Sequence, residues 1–488
     1  MPLMLRDIRY ISAFYFLMIL SFYSTVFTSS YAFLDDYGTV AGGIENLPFS
    51  LKLDIYSGRP IFALFRLFES CVVNNIHDLW LLRALSVTTL FLLTTFIYRF
   101  ISERNIFDNE FSRISFPLAL AFLPSLQVFS SWATCYSFTF AVLLCGYAYS
   151  LLTSYLKKNN KLKLIASAIL IASSFAIYQP SGMAFMAFLL IDNCLVKREI
   201  KIKNLLAGLL MMFTGMLSSL IMTKLLPKII YGNSISRSAM TSDFSGKISW
   251  FFNETLYNTF NTYKINPNWT FFLTGLVLFC VAALYIIKTK SGIIKFSLLI
   301  LAPVLSYFPN LYISESWAAQ RSMIAISLCV SSIIIFGALK LSDSVSGFVK
   351  SDSYHFSWLF PLILVLSTGI AASYNINNFM VLNQIQERES VAYAIADKVD
   401  KSFTGEVMVD VRERNWGAFS KVVRYDEFGE NSIYAPWAIR GVLLSIKKDK
   451  GYAFQIPKDP AISEDNQCGP NCVVINPGKA MINATTNY

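Results

Sequence analysis

YISAFYFLMILSFYSTVFTSS, residues Tyr10–Ser30, is an uncharged and largely apolar run. A helix of about 20 such residues spans a hydrocarbon core of about 30 Å. The run is too long for the core of a signal peptide and has no small-x-small cleavage pattern before Asp35, so it reads as a retained helix. Comparable runs follow at Leu79–Ile101, Ile114–Phe129, Ala133–Leu156, Leu162–Ile177, Gly182–Val196, Leu205–Leu226, Phe271–Ile287, Ile293–Phe308, Met323–Leu339 and Trp358–Ser373. The expected fold is therefore an α-helical polytopic membrane protein of about eleven transmembrane helices. Nine plus a re-entrant hairpin over Leu162–Val196 is the alternative, because those two runs are short. Composition agrees: of 488 residues, 55% are hydrophobic and only 15% charged.

The formal charge of +10 would suggest a nucleic-acid partner in a soluble protein, but here it follows the membrane pattern and none is expected. Every second connection is basic, from Arg6 and Arg9 through Arg104/Arg113, Lys157–Lys163, Lys197–Lys203, Lys288–Lys295 and Lys340/Lys350. By the positive-inside rule these connections and the amino terminus face the cytoplasm. The segments 31–78, 227–270 and 309–321 then face outward, as does the tail, in a multi-pass protein surrounded by membrane lipids. The expected division is a membrane domain over 1–374 and a soluble α/β domain over 375–488. In the latter, Asn383–Lys401 has helical spacing, while Glu406–Val411 and Val473–Ile475 read as strands.

Cys468 and Cys472 lie in the outward tail, where an oxidising compartment permits a small-loop disulfide; a redox or metal pair is the other reading. With two His residues placed on opposite sides, a His-based metal site is not expected. No phosphate-binding glycine loop, dinucleotide fingerprint or hydrolase motif is present, so soluble nucleotide chemistry has no seat. No cofactor is required on this reading, and a metal is neither required nor excluded.

The outward segments hold the candidate chemistry. Asp35 and Asp36 follow the first run directly, and one of them can serve as a general base, with Asp36 preferred and Asp35 the alternative. Adjacent carboxylates point in different directions, so they do not form a shared-proton dyad. Ser57-Gly58-Arg59 forms the turn before an interfacial helix that opens at Pro60. Arg59, Arg321, Lys224 and Lys228 are candidate partners for a donor phosphate. Arg321 reads equally as a helix-end anchor or a partner of Glu315. The polar loop Ile229–Asn268, with Trp250 among its aromatics, suits a sugar acceptor or an amphipathic helix at the headgroups. In the tail, Arg412–Trp416 and Tyr434–Trp437 are acceptor-reading or packing candidates.

These features, taken in order, resemble a known family. An outward Asp-Asp after the first span, the Gly58-Arg59-Pro60 turn, Tyr178-Gln179-Pro180-Ser181 and Glu315-Ser316-Trp317 with Arg321 look like the bacteriophage-type serotype-converting O-antigen glucosyltransferases. The resemblance covers most of the membrane part and is weaker in the tail. It implies the C-type multispan glycosyltransferase architecture, with an acidic residue of the first outward loop as base. It also implies an undecaprenyl-phosphate-glucose donor and an O-antigen acceptor on lipopolysaccharide or its lipid-linked precursor. Transfer would take place on the periplasmic side of the bacterial inner membrane, with inversion at the anomeric carbon. Tyr178, Gln179, Glu315 and Trp317 then become candidates for sugar or acceptor contact, beside Trp250. The rival classes are a lipid-linked oligosaccharide flippase and an O-antigen polymerase. A flippase would favour ionisable residues at mid-span.

Overall fold

The computed structural model of the protein describes residues 8–42, 47–232, 240–348, 358–411, 427–462 and 468–477. Arg412–Trp416 and His355 lie outside the described residues. All eleven apolar runs contain helix. The first forms α1 (Ile8–Tyr23) and a further turn over Thr25–Thr28. On the outward side of the expected topology come α2 (Asp35–Gly42), α3 (Leu47–Tyr56) and α4 (Pro60–Val72). Then follow α5 (Leu79–Ser102), α6 (Glu110–Ala121), α7 (Pro124–Ser131), α8 (Phe138–Lys158), α9 (Lys161–Ile177), α10 (Phe185–Cys194) and α11 (Ile202–Tyr231). The second half has α12 (Phe244–Trp250), α13 (Trp269–Ile287), α14 (Gly292–Ser306), α15 (Ile324–Phe348) and α16 (Leu359–Asn375). The tail adds α17 (Leu382–Ala396), strand β1 (Glu406–Val409), α18 (Pro436–Lys450) and strand β2 (Cys472–Ile475).

By length and composition, six helices among the described residues can cross a membrane, or seven if the bent pair α6–α7 is one span. The other four runs differ from the expected eleven spans because their helices are too short. α1 has 16 residues, about 24 Å at 1.5 Å per residue. α10 has only 10, all of them buried. α11 shows the pattern of a lipid-facing helix: Leu206, Leu210, Phe213, Leu217 and Leu220 recur at three- and four-residue steps and are exposed. α15 is the opposite case, buried along most of its length at the centre of the bundle.

The 56° bend between α6 and α7 is built into the sequence. Pro117 and Pro124 cannot donate backbone hydrogen bonds, and helix ends leave carbonyls without helical partners. Four tyrosines add hydrogen bonds to carbonyls along the bent pair, from the interior of α6 to the end of α7. Tyr15, Tyr23 and Tyr31 donate to Ile114, Ala121 and Ser131 carbonyls at 3.0, 2.8 and 2.7 Å, and Tyr263 donates to the Ala119 carbonyl at 2.7 Å. Gln127 donates to the Phe122 carbonyl at 2.7 Å and accepts from Asn375 at 3.2 Å. The first apolar run is thus stitched to the broken helix, which places the turn after α7.

Alternate connections meet one another. Lys197 pairs with Asp108 at 2.7 Å, Arg104 with Asp192 at 2.8 Å, Lys295 donates to the Val196 carbonyl at 2.7 Å, and Asn109 donates to Asp343 at 3.3 Å. The second, fourth, fifth and sixth basic connections therefore share one face, as the charge alternation implies.

At the other face the tail is not self-contained. α16 passes through a widened turn at Ile376–Val381 into α17, so the expected boundary between 374 and 375 falls inside a continuous helix. β1 and β2 pair in parallel, Glu406 opposite Cys472 and Val409 opposite Ile475. Cys468 and Cys472 are joined in a disulfide. One apolar core joins Tyr37, Val40, Val73 and Ile76 from the first outward segment to Val391, Val407, Ile439 and Val442 from the tail. α18 crosses α2 closely enough that a Cβ at Gly441 would lie 2.2 Å from the Tyr37 carbonyl oxygen.

Candidate functional site

The acid pair is split by its own backbone. Leu34 adopts φ +43, a left-handed conformation that costs a residue with a Cβ about 1–2 kcal/mol. The Leu34 N–H is held by Ser432 Oγ at 3.0 Å. α2 then starts, and its first-turn carboxylates diverge. Asp36 reaches back to accept from the N–H of Phe33, three residues earlier, at 3.1 Å. Its other oxygen accepts from the Thr134 N–H and hydroxyl, both at 2.8 Å. Arg83 lies 3.6 Å away. Arg83 itself is fully buried, stacks over Tyr31 at 3.6 Å and donates to the Ser131 carbonyl at 3.1 Å and to the Tyr31 carbonyl at 2.5 Å.

Burial pushes the Asp36 carboxyl up from its ordinary value, against the opposing pull of Arg83 and the Thr134 hydrogen bonds. With no exposed surface and both oxygens engaged, Asp36 is placed to hold α2 on the 131–134 turn. It does not line the cavity. The sequence preference for Asp36 over Asp35 therefore loses its geometric basis.

Asp35 points the other way, into a cavity of about 950 Å³. The walls come from α2, α3, α4, the Trp132 turn, the Trp317–Arg321 segment and the start of α18. One Asp35 oxygen accepts from the Trp437 indole N–H at 3.0 Å. Arg321 also lines the cavity, its guanidinium 4.6 Å from the Trp132 ring and 4.9 Å from the Trp317 ring. Glu427 bridges it, pairing with Nε at 3.0 Å and accepting from the Arg321 backbone N–H at 3.2 Å. The expected alternative of an Arg321–Glu315 pair is replaced by this one.

Arg66 is the second cation of the cavity. It donates to Asp54 at 3.2 Å and to Glu69 at 3.4 Å. Glu69 has no exposed surface, and one of its oxygens has no partner. Burial carries its carboxyl up to about 8, with Arg66 pulling down and Asp36 pushing further up. Asp54 is raised by burial as well, opposed by Arg66.

The remaining candidates assemble elsewhere. Arg59 donates to Gln179 at 3.0 Å and stacks 4.9 Å over Tyr178, while Gln179 donates to the Ser57 carbonyl at 2.7 Å. Gly58 makes this turn possible: φ is +71, and a Cβ would lie 2.0 Å from Thr223 Oγ1. The two motifs thus recognise each other, and neither lines the cavity. Lys224 and Lys228 are exposed near the end of α11, away from the cavity lining. Trp250 packs 6.1 Å from Tyr307 with Lys247 4.7 Å over its ring. Buried Lys247 donates to the Glu315 and Asn310 carbonyls, so α12 anchors the segment that carries Trp317 and Arg321. The Glu315 side chain is not part of the lining.

Of the sequence candidates, the cavity gathers Asp35, Arg321, Trp317 and the Tyr434–Trp437 segment. Arg66, Glu69, Trp132, Glu427 and the Arg83–Thr134 support are additions. Only Arg83 left a signal in sequence, as an arginine within an apolar run, which needs a partner. Among the described residues, no three His, Cys, Asp or Glu side chains are grouped to hold a metal ion. No family model and no curated protein matches the chain.

Proposed function

We propose that the protein is a membrane glycosyltransferase that moves a hexose from a polyprenyl-phosphate donor to a glycan acceptor, with Asp35 as general base. The carrying observation is that Asp35 shares one cavity with Arg321, a guanidinium set between two indoles. On this reading the acceptor hydroxyl gives its proton to Asp35 as its oxygen attacks the anomeric carbon. The anomeric C–O bond to the lipid phosphate breaks, and the phosphate leaves with the bonding electron pair. Arg321 stabilises that charge by a forked, charge-assisted contact, exchanging Glu427 for a phosphate oxygen. The wall formed by Leu47, Phe49 and Leu53 is apolar and suits the lipid end of the donor, while Trp317 suits a sugar face.

On this reading the basic connections lie on the cytoplasmic side, so the cavity opens on the opposite side, where nucleotide sugars are absent and a lipid-borne donor serves. With the family resemblance, the reading becomes glucose transfer from undecaprenyl-phosphate-glucose to O-antigen at the periplasmic face of a bacterial inner membrane. This is the chemistry of serotype conversion. The test is purified full-length protein incubated with undecaprenyl-phosphate-glucose and lipid-linked O-antigen, with the product read by mass. A hexose added to the glycan supports the proposal. Lipid movement across vesicles without transfer would replace it with a flippase.

A further inference from the structure

The relation between Trp437 and Asp35 goes beyond lining a cavity. Both residues belong to first turns, of α18 and α2, and the two helices are fixed against each other by the Gly441–Tyr37 contact and by Ser432 on the Leu34 N–H. The indole N–H can only donate. It therefore engages the Asp35 carboxyl through Oδ1 and leaves the second oxygen for the acceptor hydroxyl. Trp437 is nevertheless 62% exposed, so a ring that lines the cavity keeps a face open to it. Across the same cavity Trp317 is 52% exposed. Trp132, which lines the cavity while almost wholly buried, has an indole N–H with no partner. Exposed indole faces suit the C–H faces of a pyranose, and an unpartnered buried N–H suits a sugar hydroxyl.

We propose that Trp437 positions Asp35 and is at the same time the platform for the acceptor sugar, so that one side chain sets the geometry between base and nucleophile. The inference rests on the glycosyltransferase reading for its kinetic part, but not for glycan binding. It assigns acceptor recognition to the junction of α18 with α2, and the ligand class to a pyranose of a neutral glycan presented edge-on to Asp35.

The test compares Trp437→Phe, which keeps a ring and removes the N–H, with Trp437→Leu, which removes both. Full-length protein in nanodiscs is used, and variants are compared at matched thermal unfolding temperature. In Trp437→Phe, kcat should fall about 10- to 100-fold through misplacement of the base. Acceptor KM should stay within about twofold of wild type while the ring remains. Trp437→Leu should also raise acceptor KM about tenfold through loss of stacking, with donor KM unchanged in both. Unchanged kcat in Trp437→Phe, or equal changes in donor and acceptor KM, would overturn the positioning role.

Binding of delipidated O-antigen polysaccharide, followed by calorimetry without any lipid donor, separates this inference from the function it builds on. Binding that Trp437→Leu weakens, in a protein that transfers no hexose, keeps the platform and removes the transferase. Binding equal in wild type and Trp437→Leu removes the platform even if transfer occurs.

Discussion

Asp36 and Arg83 lie 3.6 Å apart with neither side chain exposed to solvent. The carboxylate holds Thr134 and the guanidinium holds Ser131, so the pair clamps the turn that presents Trp132 to the cavity. Its role follows from burial: a charge in such a place is tolerable only while its partner remains.

Removing Asp36 should therefore cost stability. Asp36→Ala leaves Arg83 buried and uncompensated, which should destabilise the protein by about 3–5 kcal/mol. The double variant Asp36→Ala with Arg83→Met should cost less than the sum of the two single changes. Thermal unfolding in detergent reads both, and additive losses would show that the pair is not coupled.

Asp35→Asn should separate function from fold. The side chain is half-exposed and on the cavity side, so unfolding should shift by no more than about 0.5 kcal/mol. Loss of the base should lower kcat for hexose transfer about 10²- to 10⁴-fold. Retained transfer in this variant would move the base to another residue.

Arg321→Lys keeps the charge and loses the planar fork between Trp132 and Trp317. Donor KM should rise at least about tenfold with acceptor KM little changed, because a lysine makes neither the forked contact nor the double stacking. The split between the two KM values, measured with polyprenyl-phosphate hexose, decides whether Arg321 meets the donor.

Glu69 predicts a pH dependence of stability. Its carboxyl is carried from 4.5 to about 8 in the folded protein, so the native state holds a proton that the unfolded chain has released. The stability it contributes is full below about 4.5, falls as pH rises, and is gone above about 8. Glu69→Gln should flatten that slope, becoming relatively more stable than wild type at pH 8 than at pH 5. Parallel stability curves for the two proteins across that window would contradict the raised value.

Gly441→Ala tests the seat of α18. The new methyl group would sit 2.2 Å from the Tyr37 carbonyl oxygen, and an overpacked contact of this kind costs about 1–3 kcal/mol. Faster proteolysis of the tail, together with reduced hexose transfer, is the expected result.

The membrane class, the helices and the basic face were legible in the sequence because they arise locally. An apolar run long enough to span acts through its own backbone bonds, and loop charges act one connection at a time. Cys468 and Cys472, four residues apart, and the alternation at Glu406–Val409 are equally short-range signals. Helix length was less legible, since the break at Phe122–Leu123 is held by tyrosines from elsewhere in the chain that bond carbonyls on both sides of it.

The site was a matter of tertiary structure. Sequence placed Asp35 and Asp36 side by side but could not tell them apart. The left-handed turn at Leu34 and the partners Thr134 and Arg83 turn one inward, and Trp437, 402 residues away, receives the other. Arg59 and Gln179 likewise found each other rather than the cavity. The sequence by itself determined which residues carry charge near the membrane surface, because composition and spacing are local properties. Only the fold decided which of those charges is neutralised inside and which faces a cavity, because desolvation and pairing depend on neighbours brought from far along the chain.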